Sequence, residues 1–241
     1  MDAKKKIEKP YLLIGTPAYG CMMHIDCHNS IMGLTRIGIQ YDHMCIGNNS
    51  LVPVPRNSII SFCYMNAKYS HMLWLDADIG IAPESVAKMI SWNKDVIGAS
   101  VCLKGFDENG QEVVNHGSLV SSDTKGLHQT DRIGTAVLLF SKKAVNALIK
   151  VSQPYDTNPK FSRGAKMPYV HYDVFKNGAK NGEYVPEDFW ACDTLRELGF
   201  TIYVDSFIET VHNGNYQFVH KTPINNITRE EIQDPGIFRL I

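Results

Sequence analysis

The sequence predicts an α/β fold: a Rossmann-related, mixed and mainly parallel sheet flanked by helices, arranged as an α/β/α sandwich in a single domain. The first observation is that short, continuous apolar runs alternate with segments of helical periodicity over the first hundred residues. Such runs are typical of strands buried on both faces, and the alternation favours βαβ units with right-handed connections. The second observation is a series of short polar strand candidates up to Arg132, which predicts a meander instead of another βαβ unit.

The elements of the first half follow from apolar runs and from their flanking Gly and Pro residues. Pro17 ends the first run, and residues 47–50 break the second. Pro55 and Pro83 suit a first helical position, because the missing N–H has no partner there. The predicted elements are a strand at 11–16, a helix near 29–39, a strand at 41–46, a helix from Pro55, a strand at 72–75, a helix from Pro83 and a strand at 96–101.

The second half contains fewer repeats of the strand-helix pattern. Ser141 predicts a helix N-cap, Pro186 opens a helix that Gly199 stops, and Thr228 with Glu231 forms a capping box for a short final helix. The long loop at 152–169 is typical of a lid. The remaining predicted elements are strands at 136–140 and 200–204, with the Ser141 helix running to Ile149.

Composition and charge argue against several functional classes. The 241 residues carry 24 basic and 25 acidic side chains, so the net charge of −1 gives no field that would attract nucleic acid. No apolar run approaches the length of a membrane span, and the basic leader at 1–9 does not resemble a signal peptide. We therefore expect a cytoplasmic protein whose six cysteines are free and mostly buried thiols.

The sharpest chemical signal is the pair Asp76 and Asp78, which flank Ala77 directly after a buried apolar run. Two carboxylates at the end of a strand can share a divalent cation or divide it with a ribose hydroxyl. Open α/β sheets bind ligands at this edge. The alternative is a solvated turn.

Two later signals could belong to the same site. Glu187 and Asp188 open a helix and could supply a general base, or they could only favour the helix dipole. A helix start lowers the pKa of a carboxyl group, so burial would have to compensate for a base at this position. His212 follows the next strand and could be a metal ligand, although single histidines are more often ordinary surface or core residues.

Together these motifs resemble those of the GT-A glycosyltransferases, over about residues 10–215. The resemblance includes the first strand ending in Thr-Pro, the DxD of Asp76 and Asp78, the Gly134-Thr135 strand entry, the Glu187-Asp188 pair and the late His212. Within that family, the sequence most resembles the small soluble glycosyltransferase domains of large algal viruses (chlorella viruses) and of phages, which decorate virion glycans. If the source is viral, the location implied is the host cytoplasm.

The resemblance implies a GT-A-like domain at 10–220, with a nucleotide-binding half at about 10–105, an acceptor half at about 106–220, and a tail at 221–241 packed on the domain. It also implies site roles. Catalysis would fall to Asp188, with Glu187 as second choice. The metal, Mn²⁺ or Mg²⁺, would be held by Asp76, Asp78 and His212. The residues implied to bind the nucleotide sugar are Thr16, Pro17, Tyr19, Arg56, Asn57, Asp76, Ala77, Gly134 and Thr135.

The function expected from this reading is transfer of a sugar, with inversion, from a UDP-sugar donor to a hydroxyl of a glycan or glycoprotein acceptor. Two alternatives stay open. One is a nucleotidyltransferase acting on a sugar phosphate, and the other is a binding module for nucleotides or glycans without turnover. A homodimer is compatible with the sequence.

Overall fold

A mixed eight-stranded sheet forms the centre of the computed structural model, which describes residues 9–121, 126–156, 170–214 and 217–220. The helices are α1 (Ile25–Arg36), α2 (Pro53–Met65), α3 (Pro83–Ser91), α4 (Lys142–Val151) and α5 (Glu187–Glu197). The strands up to the meander are β1 (Tyr11–Ala18), β2 (Gln40–Gly47), β3 (His71–Leu75), β4 (Ile79–Ile81), β5 (Val96–Ala99), β6 (Cys102–Phe106), β7 (Glu112–Val114), β8 (Val120–Ser121) and β9 (Leu127–Thr130). The later strands are β10 (Val137–Ser141), β11 (Pro154–Tyr155), β12 (His171–Tyr172), β13 (Gly178–Lys180), β14 (Glu183–Val185), β15 (Ile202–Asp205), β16 (Thr210–Asn213) and β17 (Gln217–His220).

The central sheet has the strand order β2-β1-β3-β10-β5-β15-β9-β8. The pairs of β1 with β2, β1 with β3, and β5 with β15 are parallel, whereas β10 runs antiparallel to both β3 and β5. β9 also runs antiparallel to β15 and to β8, so four of the seven strand pairs are antiparallel. Six of the eight strands nevertheless run in one direction, and in that sense the prediction of a mixed, mainly parallel sheet is confirmed. The carboxyl ends of β1, β2 and β3 meet at one edge.

Each face of the sheet carries its own hydrophobic core. One core joins α2, α4 and α5 to the sheet and contains Trp74, Phe140 and Phe175. The other joins α1 and α3 to the opposite face and contains Leu73 and Leu139. Because neighbouring residues of β3 and β10 alternate between the two cores, the predicted α/β/α sandwich is confirmed.

Several element boundaries differ from the prediction by a few residues, among them those of α1, α2 and β1. Helix α1 begins at Ile25, since the His24 Nδ1 accepts the N–H of Asp26 at 3.2 Å; histidine is not among the usual N-cap residues, so the pattern gave no start signal there. Helix α2 begins at Pro53 instead of Pro55. Strand β1 continues through Pro17 because β3 pairs with β1 only as far as Gly15, so the missing N–H interrupts no bond to β3.

The short strands predicted up to Arg132 are present as β6 to β9, but they form two separate hairpins instead of one continuous meander: β6 pairs with β7 in a sheet of their own, and β8 pairs with β9 at the edge of the central sheet. We keep the name meander for this segment. All six cysteines are free and four of them are buried, in agreement with the prediction. The leader at 1–8, most of the predicted lid at 157–169, the tail at 221–241 and the Thr228–Glu231 capping box lie outside the described residues, and the division into donor and acceptor halves stays a prediction. Within the described ranges, no helix is long and apolar enough to cross a bilayer.

A small second sheet, β17-β16-β4, was not predicted and decides the geometry of the site. Strand β4 directly follows the Asp76–Asp78 turn and pairs antiparallel with β16, with Ile79 opposite His212. This register brings a residue near the end of the described chain to the end of β3.

Lys142 anchors the carboxyl end of α2 to the sheet. Its ammonium donates to the carbonyl oxygens of Cys63, Tyr64 and Asn66, the latter two at 3.1 and 3.0 Å. We predict that Lys142→Met lowers the free energy of unfolding by about 1–3 kcal/mol, because these carbonyls lose a charged donor. Urea denaturation measures the change.

The neighbouring Lys143 is the matched control for this substitution. Its ammonium pairs with Asp95 at 2.6 Å, but its side chain is 73 % exposed. Lys143→Met should change the free energy of unfolding by less than about 0.5 kcal/mol. Equal losses for the two variants would contradict the anchoring role of Lys142.

Candidate functional site

The candidate site lies at the carboxyl edge of β1 and β3, where the turn that carries Asp76 and Asp78 leaves the sheet. The Asp76 N–H donates to the Ala136 carbonyl at 3.1 Å, which ties the start of the turn to the residue before β10. The Asp78 carbonyl accepts the Asn213 N–H at 2.8 Å and the Asn213 Nδ2 at 3.1 Å, which ties its end to β16. The backbone of the turn is thus fixed at both ends.

A buried arginine joins the first of these carboxylates to α5. The Arg56 side chain is 5 % exposed; its Nη2 donates to Asp76 Oδ1 at 3.1 Å, and its Nε lies 3.5 Å from Glu187 Oε1. The guanidinium carbon lies 5.3 Å from the centroid of the Trp74 ring. Carboxylates more than a hundred residues apart in sequence therefore share one cation.

Burial acts on Asp76 as well. It raises the pKa of the Asp76 carboxyl, against the opposing effect of Arg56, and the nearby Asp78 and Glu187 raise it further. The site therefore concentrates negative charge that its own residues only partly balance.

Several buried polar atoms near this ion-pair chain have no hydrogen-bond partner among the described residues. They are Arg56 Nη1, Trp74 Nε1 and Thr135 Oγ1. Arg56 and Thr135 are 4 % and 2 % exposed, and Trp74 is fully buried. Because buried polar groups in proteins are nearly always paired, unsatisfied polar atoms beside these carboxylates are suited to a ligand that supplies their partners.

Asp78 has a different set of partners. Its Oδ2 lies 2.5 Å from the Lys104 Nζ and 3.4 Å from the His212 Nε2. Burial alone would raise the pKa of Asp78, but the hydrogen bonds from His212 and Lys104 lower it to about 2. Asp78 is therefore a carboxylate at any physiological pH.

The His212 ring is oriented as a metal ligand would be. Its Nδ1 lies 2.8 Å from the Cys102 carbonyl, which can only accept, so Nδ1 carries the proton. Nε2 faces Asp78 and donates to it when the ring is protonated; burial alone would lower the pKa of His212, but the hydrogen bond to Asp78 raises it. A metal would bind at Nε2 in place of that proton, and a backbone carbonyl on the other ring nitrogen is typical of ligating histidines.

The residues present fit a cation held jointly by protein and substrate. The described residues contain no group of three or more His, Cys, Asp or Glu side chains arranged around one metal position. Asp78 and His212 give two ligands, while Asp76 is held by Arg56. Mg²⁺ is commonly bound by one or two carboxylates together with substrate phosphates.

Asp188 is held at the start of α5 by one of its two carboxylate oxygens. Its Oδ1 accepts the Phe189 N–H at 2.8 Å. Its Oδ2 points towards Gly134, where an added Cβ would lie 3.2 Å from that oxygen. Burial, and then the Glu187 charge, raise the pKa of Asp188 to about 6. The effect of burial on the pKa of Asp188 thus exceeds the opposite effect of the helix N-terminus, as a general base at this position would require.

Gly134 and Thr135 lie between Asp188 and the meander. The Gly134 N–H donates to the Asn115 carbonyl at 2.7 Å, and an added Cβ would also lie 3.2 Å from Asn115 Nδ2. A side chain at 134 would therefore fill the space in front of the Asp188 carboxylate.

Other residues predicted to bind the nucleotide sugar lie near the end of β1 or in the turn between Asp76 and Asp78. Thr16 and Pro17 end β1 at the site edge, where Thr16 Oγ1 is hydrogen-bonded to His43 Nε2 at 3.0 Å, and Tyr19 follows with 71 % of its surface exposed. Ala77 accepts the His24 N–H at 2.7 Å and so fixes the start of α1.

Asn57 has a structural role that the sequence did not indicate. Its Oδ1 accepts the N–H groups of Val174 and Phe175, and its Nδ2 donates to Asp173 Oδ1 and the Phe175 carbonyl. The 3 % exposed amide is thus fully occupied in holding the segment before β13. The prediction that Asn57 contacts a nucleotide has no support in this geometry.

A polar cavity of about 410 Å³ lies beyond the acidic start of α5. Arg132 crosses its wall to make a two-bond pair with Asp193 at 2.8 and 2.7 Å, and Lys180 pairs with Glu197 at 2.8 Å. Trp190, which lies on α5 between Glu187 and Asp193 in sequence, has the Lys180 Nζ 5.4 Å from its ring centroid.

Lys104 and Asn115 are the site residues that sequence reasoning missed. Both lie in the meander, whose pattern predicts short strands and says nothing about which side chains reach the end of β3. No local signal separates Lys104 from the other lysines of the chain.

The comparisons with known proteins bear on the fold alone. No family model matches the chain, and no curated protein matches it. Among solved structures, the chain is similar to A197 from STIV, a viral protein, with a TM-score of 0.53 and 12 % identity over 91 % of this chain and 98 % of that one. The arrangement of helices and strands therefore recurs in a viral protein.

We predict that Asp188→Asn stabilises the protein at pH 8. The folded-state pKa is raised from 3.8 to about 6, so the ionised carboxyl disfavours the folded state above that pH. Removing the charge should raise the free energy of unfolding by about 1–3 kcal/mol at pH 8. The gain should shrink as the pH falls from about 6 towards 4 and should disappear near pH 3, where Asp188 is mostly protonated in both states. Urea denaturation across this pH range measures it.

Asp193 on the same helix is the matched control. Its pKa is lowered, chiefly by the hydrogen bonds from Arg132, so its ionised form favours the folded state. Asp193→Asn should therefore destabilise the protein at pH 8, and the loss should shrink as the pH falls. A destabilised Asp188→Asn at pH 8 would contradict the assignment of Asp188 as a carboxylate under strain from burial.

Proposed function

We propose that the protein is a metal-dependent glycosyltransferase that moves a sugar from a UDP-sugar to a glycan hydroxyl with inversion. The observation that carries this proposal is the meeting of Asp76 and Glu187 across the buried Arg56, whose Nη1 has no partner among the described residues. Arg56 thereby links the carboxylate pair suited to binding a metal, Asp76 and Asp78, to the pair that could supply a general base, Glu187 and Asp188. This link lies at the sheet edge where α/β proteins bind ligands.

The donor's diphosphate would lie beside Asp78 and His212, which would hold Mn²⁺ or Mg²⁺. The cation would supply Lewis-acid neutralisation of the charge that develops on the departing nucleoside diphosphate. The unsatisfied Arg56 Nη1 and Thr135 Oγ1 are suited to oxygen atoms of the donor. Thr16, Pro17 and the exposed Tyr19 are suited to the nucleoside, as the resemblance implies.

Asp188 is the proposed general base. Its Oδ2 is not the oxygen held by the Phe189 N–H, and the absence of a side chain at Gly134 leaves room in front of it. A pKa of about 6 keeps the carboxylate ionised at neutral pH while making it a stronger proton acceptor than an exposed aspartate. Glu187 is less suited to this role because it faces Arg56.

We place the acceptor hydroxyl in the space in front of Asp188 Oδ2 that Gly134 leaves open. The polar cavity near Asp193 lies on another side of α5, because about 100° of rotation per residue puts Asp193 roughly 140° around the helix axis from Asp188.

Two substitutions separate binding from turnover. Asp78→Asn should weaken Mn²⁺-dependent UDP binding by about 10-fold or more, since it removes a charged ligand. Asp188→Asn should keep UDP binding within about two-fold and lower hydrolysis or transfer of the donor sugar by about 100-fold, as loss of a general base does. Isothermal titration calorimetry with UDP and Mn²⁺, followed by an assay for released UDP, gives both results.

The outcomes also separate the competing functions. Release of pyrophosphate would identify a nucleotidyltransferase and overturn the proposal. UDP binding without release from any UDP-sugar, across a broad acceptor panel, would identify a binding module. If Asp188→Asn loses UDP binding and Asp78→Asn keeps it, the two roles are wrong.

A further inference from the structure

We propose that Lys104 is an exchangeable counter-ion of Asp78: a divalent cation displaces its ammonium from the carboxylate, and the freed ammonium then binds the phosphates of the donor. This inference rests on the proposed function. It assigns a phosphate-binding residue in the meander, outside every motif that the sequence indicates.

The first argument is that Lys104 occupies the position of a cation. Its Nζ lies 2.5 Å from Asp78 Oδ2, and His212 Nε2 approaches the same oxygen at 3.4 Å. The Asp78 carboxylate oxygen is thus approached by both the His212 imidazole nitrogen and the Lys104 ammonium, and the Lys104 side chain is partly exposed to solvent. The Lys104 ammonium and a metal ion therefore cannot both bind this oxygen at the same position.

The second argument is that this pair can separate at low cost. The side chains of Lys104 and Asp78 are 38 % and 39 % exposed, and exposed ion pairs contribute little to stability. Arg56 beside Asp76 is 5 % exposed and has a second carboxylate, Glu187. The two aspartates of the motif thus differ: Asp76 has a fixed cation, and Asp78 has a movable one.

Lys104 lies on a strand whose first residue is fixed to the site and whose middle is exposed. It lies on β6, between the paired residues Cys102 and Phe106, where the register with β7 is irregular. Cys102 is buried and its carbonyl holds His212, so the base of the hairpin is fixed to the site. Two residues further on, the strand is exposed, and a flexible four-carbon stem gives the ammonium freedom to change partners.

The exchange also suits the charge of the ligand. A divalent cation in place of Lys104 raises the charge at Asp78 by one unit, and the freed ammonium adds another close by. A diphosphate carries at least two negative charges, and lysine binds phosphate as a point charge with three donors. Without ligand, the Lys104 ammonium therefore neutralises the charge of Asp78. When the donor is bound, the same ammonium contributes its charge to phosphate binding.

The test compares Lys104→Met with wild type by calorimetry, using Mn²⁺ alone and then UDP at saturating Mn²⁺. Without the competing ammonium, Mn²⁺ should bind Lys104→Met about two- to five-fold more tightly. UDP should bind it about 10-fold more weakly, because a charged contact to phosphate is lost. Lys104→Arg, which keeps the charge, should restore UDP binding to within about three-fold of wild type.

Lys143→Met is the control, since Lys143 forms a comparable ion pair with Asp95 away from the site. It should leave both affinities unchanged. If Lys104→Met binds Mn²⁺ no more tightly than wild type, the exchange is wrong. If it binds UDP as well as wild type, the phosphate contact is wrong.

These failures differ from failure of the proposed function. Wild-type protein that binds neither Mn²⁺ nor UDP would overturn the glycosyltransferase proposal and this inference with it. Wild-type protein that binds both, with Lys104→Met indistinguishable from it, would overturn the role of Lys104 alone.

Discussion

The geometry of the site depends on one buried cation. Arg56 lies in α2 with its guanidinium against Trp74, and it contacts Asp76 after β3 and Glu187 at the start of α5. A guanidinium removed from water requires carboxylate partners, and loss of one partner from such a group is strongly destabilising. The packing of α2, β3 and α5 is therefore constrained electrostatically at the point where the proposed chemistry occurs.

Around this cation, four carboxylates have distinct environments. Asp76 and Glu187 face Arg56, Asp78 faces Lys104 and His212, and Asp188 faces the space left by Gly134. The pKa of Asp78 is lowered to about 2, whereas that of Asp188 is raised to about 6. Carboxyl groups whose environments push their pKa values apart are suited to different tasks, here cation binding and proton transfer.

The sequence predicted what depends on local pattern. The buried runs before Pro17 and before Asp76 gave β1 and β3, and an aspartate pair after a buried strand gave the site edge. It could not show that His212 reaches Asp78, because that contact depends on the register of β16 with β4. The role of Lys104 and the Arg56 link between Asp76 and Glu187 depend likewise on tertiary packing. Asn57, in contrast, is polar for a structural reason: it holds the segment at 173–175.

A crystal structure with UDP and Mn²⁺, using the anomalous signal of manganese, tests most directly the claim that these carboxylates form one donor site. We expect a manganese peak within coordination distance of Asp78 and His212, the diphosphate of UDP beside it, and the terminal phosphate of UDP facing Arg56 and Asp188. A UDP molecule bound elsewhere on the protein, or a manganese peak remote from Asp78, would contradict it.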